Sequence, residues 1–407
     1  MNRRIFPCLS LILCLTPAAF AQDFLPAPEI ADLALSSHPD VLAEQERANV
    51  SRGEARRLAA DPYEWTLSGT YLNRSIRGVG DFSEYDAGIA RGLRLPGKAD
   101  IDHEIGRHGV SAAENAAEDA RHQAALRLLG AWLGWLSARE TAAIHREQVA
   151  AFEREVGAVE RRLAINDAAA IDVEMARAAL AESQAAAARS AGAVLRTVAS
   201  LMAWFPELPL PASPILISPP ALPDDLDTLR QAVISNSHEI GYVEDIARRA
   251  DAVAQRAKAD ETPDPQVGLR VFSERDGDET GLGVTFSVPI GGEARSAMTY
   301  ERYAAAEAAR RDVQRVRRTV LDTAETDAIR ARSEHAAWLS AQRAAEDSTR
   351  VVQRLRDGYG IGASSLADLL MAERRHLDSR LMEAEARTQA TFAILKLKID
   401  AHEMWID

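Results

Sequence analysis

An internal duplication is the feature that most constrains this sequence, because a chain written twice folds as two related units. The first copy opens at Leu35–Val41 and the second at Val233–Ile240. Each opening continues as a helical pattern rich in alanine, arginine and glutamate, and stops at a breaker that contains proline. The sequence therefore predicts two structural repeats, 22–204 and 226–407, joined by a proline-rich, extended connector at 205–225.

Alternating sequence follows the breaker in both copies, with apolar residues on one side and polar or very small residues on the other. This period of two is typical of strands that present one apolar face. The pattern is clearest near the end of the second copy's segment, where Leu282, Val284 and Phe286 alternate with Gly281, Gly283 and Thr285. Turn-like joins complete one β-hairpin in each copy, with strands within 64–95 and within 266–290.

A long helical pattern follows each hairpin, at 100–163 and at 295–357, and a second helix follows after a break, at 171–204 and at 366–403. A helix of roughly 64 residues is about 95 Å long. The two shorter helical stretches of the first copy together reach about the same length, although Pro39 is expected to kink or break the earlier one. One continuous helix can therefore run beside two stacked helices, which suits a tube that crosses a wide gap.

The first residues have the pattern of a secretory signal peptide, predicted at 1–21. A basic start precedes the apolar run Ile5–Phe20, and a small-x-small site ends at Ala21. The alternative is an N-terminal anchor helix, but the run is short for a membrane span and contains Pro7 and Pro17. The sequence therefore predicts an exported protein.

Cysteine and charge exclude several classes of function. Both cysteines, Cys8 and Cys14, lie within the predicted signal peptide, so the mature chain has no thiol for a disulfide, a metal site or a nucleophile. Cys14 follows Leu13 and not a small residue, which disfavours lipidation. The net charge of −13 and the absence of a basic block argue against nucleic acid as a partner.

Motifs for catalysis or metal binding are absent from the sequence: it contains no nucleophile elbow, phosphate-binding loop or zinc motif. Five histidines are isolated along the chain and are interpreted as residues of solvated helix faces, namely His122, His145, His335, His376 and His402. We therefore predict a protein that is not an enzyme, with no catalytic residues, no metal site and no cofactor.

The number of strands limits how the hairpins can enter a membrane. Four strands cannot close a membrane barrel, since the smallest barrels have about eight. An open sheet would leave edges that lipid cannot satisfy. If the strands enter a membrane, they must therefore close with other chains: two chains would supply about eight strands and three about twelve.

The duplicated order of helix, hairpin, long helix, turn and helix, with the tip sequence Gly358–Leu369, resembles the TolC-type outer membrane efflux family over essentially the whole mature chain. The resemblance implies a mainly α fold with a β-hairpin in each of two repeats. It implies a homotrimer whose TolC-like α-helical barrel joins a 12-stranded transmembrane β-barrel, in the outer membrane of a Gram-negative bacterium and extending into the periplasm. The implied partners are outer-membrane lipid, a periplasmic adaptor (membrane fusion) protein and an inner-membrane pump of the resistance-nodulation-division type.

Within that family, three features resemble the heavy-metal, CzcC-like branch. They are the unlipidated start, the short extracellular loops, and the junctions Leu95–Lys98 and Pro289–Gly292. The resemblance implies a passive exit duct for metal cations or small toxic compounds delivered by the pump and adaptor.

The resemblance also places a periplasmic gate at the tip of the helices. The predicted gate residues are Gly358, Tyr359, Gly360, Gly362, Asp172 and Asp368. Three Asp368 carboxylates in a trimer would form a ring that attracts cations, but both aspartates also suit a helix N-terminus, where an acid favours the helix dipole. Tyr359 either braces the tip or belongs to ordinary packing. Two departures stand out: Met371 occupies a position where the family often has a second acid, and Asn166–Ala168 replaces the glycine-rich turn.

Three other interpretations are compatible with parts of the sequence. A periplasmic adaptor is also helical and exported, but adaptors usually have one helical hairpin between split β-domains. A structural coiled-coil protein with a soluble β-cap would not need apolar strand faces. An outer-membrane duct of a type I protein secretion system would share the architecture and differ in its partners.

Overall fold

The computed structural model describes residues 24–212, 214–223 and 225–406. The predicted signal peptide, with Cys8 and Cys14, lies outside the described residues and stays a prediction. The chain forms two compact units, each of which combines segments from both halves of the sequence. Unit 1 takes the described residues of Met1–Ala34, Gly130–Pro219 and Trp338–Gln389, and unit 2 those of Leu35–Leu129, Pro220–Ala337 and Ala390–Asp407.

The described elements occur in the same order twice. The first half contains α1 Pro28–Ser36, α2 Pro39–Ala59, β1 Thr66–Ile76, β2 Gly80–Gly92, α3 Lys98–Ala164 and α4 Ala170–Trp204. The second half contains α5 Leu226–Ser235, α6 His238–Ala259, β3 Gln266–Glu274, β4 Glu279–Ser287, α7 Glu293–Gly360 and α8 Leu366–Asp400, with a single 3₁₀ turn between β3 and β4. None of the described helices is both long and apolar enough to serve as a membrane span.

The helical stretch before the first hairpin breaks at Pro39, as its sequence indicates. Pro39 is the first residue of α2, where its missing N–H costs nothing because the first turn has no intrahelical acceptor. His38 caps the helix, since its Nδ1 accepts a hydrogen bond from the Asp40 backbone N–H at 3.2 Å. The second copy uses a serine for the same purpose: Ser237 Oγ accepts from the Ile240 backbone N–H at 3.3 Å.

The four strands form one antiparallel sheet within unit 2, in the order β1-β2-β3-β4. The register places Leu67 opposite Ile89, Ile89 opposite Leu269, and Leu269 opposite Val284. One apolar row therefore crosses all four strands on the same face. We call this face the apolar sheet face; its exposed members are Leu67, Tyr71, Tyr85, Ile89, Leu269, Val271, Leu282, Val284 and Phe286.

The opposite face of the sheet is polar and contains several glycines. Arg270 forms an ion pair with Asp86 on the neighbouring strand, and Arg74 forms one with Glu84. Gly268 lies between two strands with no space for a side chain, because an added Cβ would lie 2.7 Å from the Ile89 carbonyl oxygen and from Thr285 Oγ1. Small and paired polar groups therefore line most of this face, with Leu72 and Phe272 as apolar exceptions.

The helical core of unit 2 is built from apolar residues on one side of α5 and small residues on the long helices. Leu226, Leu229 and Val233 recur at helical spacing and are buried. They pack with residues of α7, α8 and the segment after α8: Ala324, Ala331, Ala393, Ile394, Leu397 and Ala401. Alanines let the helix backbones approach closely at these contacts.

A buried ion pair marks the junction between the sheet and the helices of unit 2. Lys98, the first residue of α3, lies with its Nζ 2.9 Å from Asp264 Oδ1 and 3.0 Å from Asp260 Oδ1. Asp264 also accepts hydrogen bonds from Tyr63 Oη at 2.6 Å and from the Leu95 backbone N–H at 3.0 Å. Burial alone would raise the pKa of Asp264, but the hydrogen bonds from Tyr63 and Lys98 hold it below its usual range. Burial and the bond to Asp264 raise the pKa of Tyr63 to about 12.

We expect Lys98→Met to lower the free energy of unfolding by about 3–5 kcal/mol, because it leaves the buried Asp264 carboxylate without its cation. Lys258→Met is the matched control, since Lys258 is exposed and pairs with Glu261; its effect should be small. Thermal unfolding of purified protein, followed by circular dichroism, measures both. Equal melting temperatures for the two variants would contradict the proposed contribution of the buried pair.

Candidate functional site

The predicted gate residues lie in unit 1, at the two turns where long helices reverse direction. Residues 165–169 join α3 to α4, and residues 361–365 join α7 to α8. We call these turns the first tip and the second tip. Gly358 and Gly360, expected in the break, are instead part of the last turn of α7, which ends at Gly360. The difference arises because glycine at a helix C-terminus is tolerated and the helix continues to the left-handed residue that ends it.

The second tip is a Schellman motif, the hydrogen-bonded turn that commonly ends a helix. The Ala363 backbone N–H donates to the Gly358 carbonyl at 2.7 Å, and the Gly362 N–H donates to the Tyr359 carbonyl at 3.2 Å. Gly362 has φ +75°, in the left-handed region that glycine adopts most readily. Of the three predicted tip glycines, Gly362 is therefore the one that the backbone conformation requires.

The first tip has the same backbone in spite of its different sequence. The Asp167 N–H donates to the Arg162 carbonyl at 2.8 Å, and the Asn166 N–H donates to the Leu163 carbonyl at 2.9 Å. Asn166 has φ 60° and takes the place of Gly362. Asparagine is the residue that most often replaces glycine at this position, so the apparent departure at Asn166–Ala168 leaves the turn unchanged.

Asp172 and Asp368 occupy equivalent positions, three residues after the residue that caps each following helix. Ser365 Oγ accepts a hydrogen bond from the Asp368 backbone N–H at 3.1 Å and donates to Asp368 Oδ2 at 2.6 Å. Asp172 Oδ2 accepts from the Ala169 backbone N–H at 3.0 Å. Both aspartates therefore stabilise a helix N-terminus, and the cap interpretation of the sequence describes what each does within one chain.

Tyr359 connects the two tips. It is partly buried against a cluster that contains Phe152, Val159, Val173, Leu366 and Leu370. The Arg162 guanidinium carbon lies 4.8 Å from the centre of its ring, which is cation–π distance. Arg162 also forms an ion pair with Asp167 at 2.9 Å. Burial raises the pKa of the Tyr359 hydroxyl, so this group stays neutral at physiological pH.

A pair of ions lies across each helical hairpin below its tip, with opposite polarity in the two copies. In the second copy Arg356 of α7 pairs with Glu373 of α8. In the first copy Glu160 of α3 pairs with Arg177 of α4 at 2.6 Å. Glu160 and Arg356 lie equally far before Asp172 and Asp368, and Arg177 and Glu373 lie equally far after them. The two pairs therefore occupy equivalent positions with the charges exchanged.

Glu155 of α3 approaches the second-copy pair, with Arg356 Nε 3.9 Å from Glu155 Oε1. Burial raises the pKa of Glu155, and the nearby Glu373 adds to that effect. Sequence reasoning missed Arg162, Glu155, Arg356 and Glu373. The spacing of Arg356 and Glu373 on either side of the turn is a usable signal, because residues at similar distances from an antiparallel turn face each other.

The chemistry available at the tips is electrostatic. Within the described ranges, no group of three or more histidine, cysteine, aspartate or glutamate side chains is arranged to hold a metal ion. Carboxylates, arginines and exposed isoleucines surround the turns, with Ile165 and Ile361 at equivalent exposed positions. Such a surface can attract ions and contact other proteins.

We expect Gly362→Ala to destabilise unit 1 by about 1 kcal/mol, because alanine is strained at a left-handed φ. Gly360→Ala should be neutral or slightly stabilising, since nothing lies within 4 Å of the added Cβ and alanine favours helix. Chemical unfolding of the two single variants beside the wild type measures the difference. A Gly360→Ala variant that loses as much stability as Gly362→Ala would argue against the turn geometry.

No protein-family model matches this sequence, and no curated protein matches it. Solved structures do match. The outer-membrane channel OprN superimposes with a TM-score of 0.79 at 19% identity, covering 93% of this chain and 90% of its own. CusC, solved in a study of folding and transmembrane channel formation, gives a TM-score of 0.77 at 16% identity and covers 98% of both chains.

The outer membrane protein VceC from Vibrio cholerae matches with a TM-score of 0.75 at 13% identity, covering 92% of this chain and 95% of its own. All three matches span nearly the whole of both partners, so the similarity concerns the complete fold and not one hairpin. Sequence identity this low carries no residue-level role from these proteins to this one. The chain has the TolC-like fold of outer-membrane channels, mainly helical with a small antiparallel sheet.

Proposed function

We propose that this protein is the outer-membrane channel component of a tripartite efflux system, a member of the TolC-type family and not an enzyme. It is a passive exit duct across the outer membrane and the periplasm for substrates delivered by an inner-membrane pump and an adaptor. The observation that carries the proposal is the apolar sheet face, in a chain with the fold of outer-membrane channels.

The apolar sheet face fits lipid better than water. Leu282, Val284 and Phe286 of β4 are 75%, 78% and 70% exposed. Contiguous apolar surface of this kind on a soluble domain normally marks a contact with protein or membrane. The four strands have 9 to 13 residues, and a tilted strand crosses a bilayer in about 9–11. Lipid on this face and a polar lumen on the other account for both faces of the sheet.

The edges of the sheet support closure with further copies of the chain. Within the described chain, β1 and β4 each pair with one neighbour only. Lipid offers no partner for the outer N–H and C=O groups of an edge strand, so β1 of one copy pairs with β4 of the next. Three copies then close a barrel of about twelve strands, above the lower limit of about eight.

The partners and the cargo follow from the proposed duct. Its tips face the periplasmic adaptor, and an inner-membrane pump of the resistance-nodulation-division type drives transport. Metal cations or small toxic compounds of the kind expected for a CzcC-like branch are the proposed substrates. A type I protein secretion system would use the same duct with a different pump, and co-purification of the pump distinguishes the two systems.

The tips are the proposed gate. In a trimer, three exposed Asp368 side chains approach one another and attract cations. In each copy the Ser365 hydroxyl donates a hydrogen bond to one Asp368 carboxylate oxygen, which fixes the direction of the Asp368 side chain. The contact between Arg162 and Tyr359 ties the first tip to the second within each chain.

Membrane insertion is tested with Leu282→Arg and Thr285→Arg, which lie on opposite faces of β4. Arginine facing the middle of a bilayer costs about 2–4 kcal/mol, so Leu282→Arg should reduce recovery in outer-membrane fractions and of crosslinked trimer. Thr285→Arg faces the lumen and should leave both near wild-type levels. A wild-type chain that is a soluble monomer would refute the duct itself.

The gate is tested by Asp368→Asn in planar bilayers. We expect cation selectivity or block by divalent cations to decrease, because the ring loses its charge. Asp172→Asn serves as the comparison, since this aspartate has the same capping role but is less exposed. Identical conductance and ion block for wild type and Asp368→Asn at every salt concentration would exclude the ring.

A further inference from the structure

Three histidines that are far apart in the sequence come together in unit 2. The ring centre of His402, just after α8, lies 5.0 Å from that of His238 at the start of α6 and 6.1 Å from that of His122 on α3. The interpretation of His122 and His402 as isolated surface histidines is therefore wrong. We call these three residues the histidine cluster.

His402 has a left-handed backbone conformation, which is unfavourable for most residues other than glycine. The Glu403 N–H donates to the Lys398 carbonyl at 2.7 Å and the His402 N–H to the Ile399 carbonyl at 2.9 Å, so α8 ends in a Schellman motif. His402 is its left-handed residue, with φ 61°. Glycine is far more common at this position. The turn places the His402 ring beside that of His238.

The histidine cluster is closely but incompletely hydrogen-bonded. His122 Nε2 lies 2.8 Å from Asp400 Oδ1, and Asp400 also accepts from Lys396. His238 Nδ1 lies 3.4 Å from Asn115 Oδ1, while its Nε2 is buried with no hydrogen-bond partner among the described residues. Cavities of about 830 Å³ and 260 Å³ both reach His238 and His402, so water can enter with little rearrangement.

Charged groups face the histidine cluster from four helices. Acidic groups outnumber basic ones: Glu118 and Asp119 of α3, Glu239 and Glu244 of α6, Asp327 of α7 and Asp400 of α8, against Arg317 of α7 and Lys396 of α8. Arg317 pairs with Glu244, and Lys396 pairs with Asp327 and Asp400. The basic groups and half of the acids are thus already paired.

Burial lowers the pKa of both His238 and His402 below the ordinary 6.5, and the neighbouring histidines add to the shift for His402. Here the docked state is the observed one, in which the segment after α8 packs against the cluster, and the released state is one in which that segment has left it. A lowered histidine pKa in the docked state means that the released state binds protons first. Docking is therefore fully stable above about pH 6.5 and weakens as the pH falls from 6.5 toward the lowered values. Burial also raises the pKa of Glu239, whose protonation in the docked state opposes this trend.

We propose that the histidine cluster is a proton-sensitive latch that docks the C-terminal segment, Ala401–Ile406, at neutral pH and releases it in mild acid. The segment is held by a hydrogen bond from Asn236 Nδ2 to the Ala401 carbonyl at 3.1 Å and by burial of Ile406. Protonation places positive charges next to one another in a partly buried site, and exposure to water relieves the repulsion. All of these residues lie in unit 2, so the latch does not depend on the proposed transport function.

Amide hydrogen exchange on the full chain, read by mass spectrometry over Lys398–Ile406, tests the latch. Between about pH 7.5 and about pH 5.5, wild-type protection, corrected for intrinsic exchange, should fall by about fivefold or more, because two histidines each favour the released state once the pH passes below 6.5. In the double variant His238→Gln/His402→Asn the change should stay within about twofold, since asparagine tolerates the left-handed conformation and neither side chain titrates.

His103→Asn is the matched control, because His103 is an exposed histidine on α3 of the same unit; it should behave like the wild type. If the double variant does not fold at pH 7.5 by circular dichroism, His402→Gly replaces it. Glycine suits the backbone and removes one imidazole, so the fall in protection should be smaller than in the wild type. Two results would overturn the proposal. One is wild-type protection that is equal at both pH values. The other is a loss of protection in the double variant as large as that of the wild type.

Discussion

Backbone hydrogen bonding at the outer edges of β1 and β4 is the constraint on which the rest of the structure depends. Water satisfies those edges but makes the apolar sheet face costly, since each large apolar side chain left in water forgoes about 1.5–3 kcal/mol. Lipid accepts the face but leaves the edge N–H and C=O groups without partners. One chain alone suits neither environment. Edge-to-edge pairing of further copies in lipid would remove both costs at once, which is the physical reason for the assembly in the proposed duct.

Much of the fold could be predicted from the sequence because its signals are long and periodic. The alternation in Thr280–Ile290 assigns Leu282, Val284 and Phe286 to one face, and the register then aligns that face across all four strands. The prediction of a mainly α, TolC-like fold is confirmed by the matched channels, and the two predicted hairpins form a small antiparallel sheet; the 12-stranded barrel and the trimer stay predictions. Pro39 marks a real helix boundary because the first turn of a helix is where proline fits.

The candidate site was less predictable because its contacts join residues that are distant in the sequence. Arg162 meets Tyr359 only after two helical hairpins have packed together. Asn166 looked like a departure from the glycine-rich turn, yet it has the φ that the turn needs. Sequence gave no sign that His122, His238 and His402 would meet, since each belongs to a different element. Local patterns thus predict elements and faces, while side-chain partners require the packed structure.

The ion pairs with exchanged charges have a consequence for how a duplicated chain folds. Two similar hairpins in one polypeptide create a hazard, because the long helix of one copy can pair with the short helix of the other. Glu160 would then face Glu373, and Arg356 would face Arg177, so each mistaken hairpin would bring like charges together. The exposed Glu160–Arg177 pair adds little to native stability, whereas Glu373 of the second pair is buried. The exchanged polarity of the two pairs disfavours the wrong pairing of helices. Each long helix is thereby favoured to pair with the short helix of its own copy.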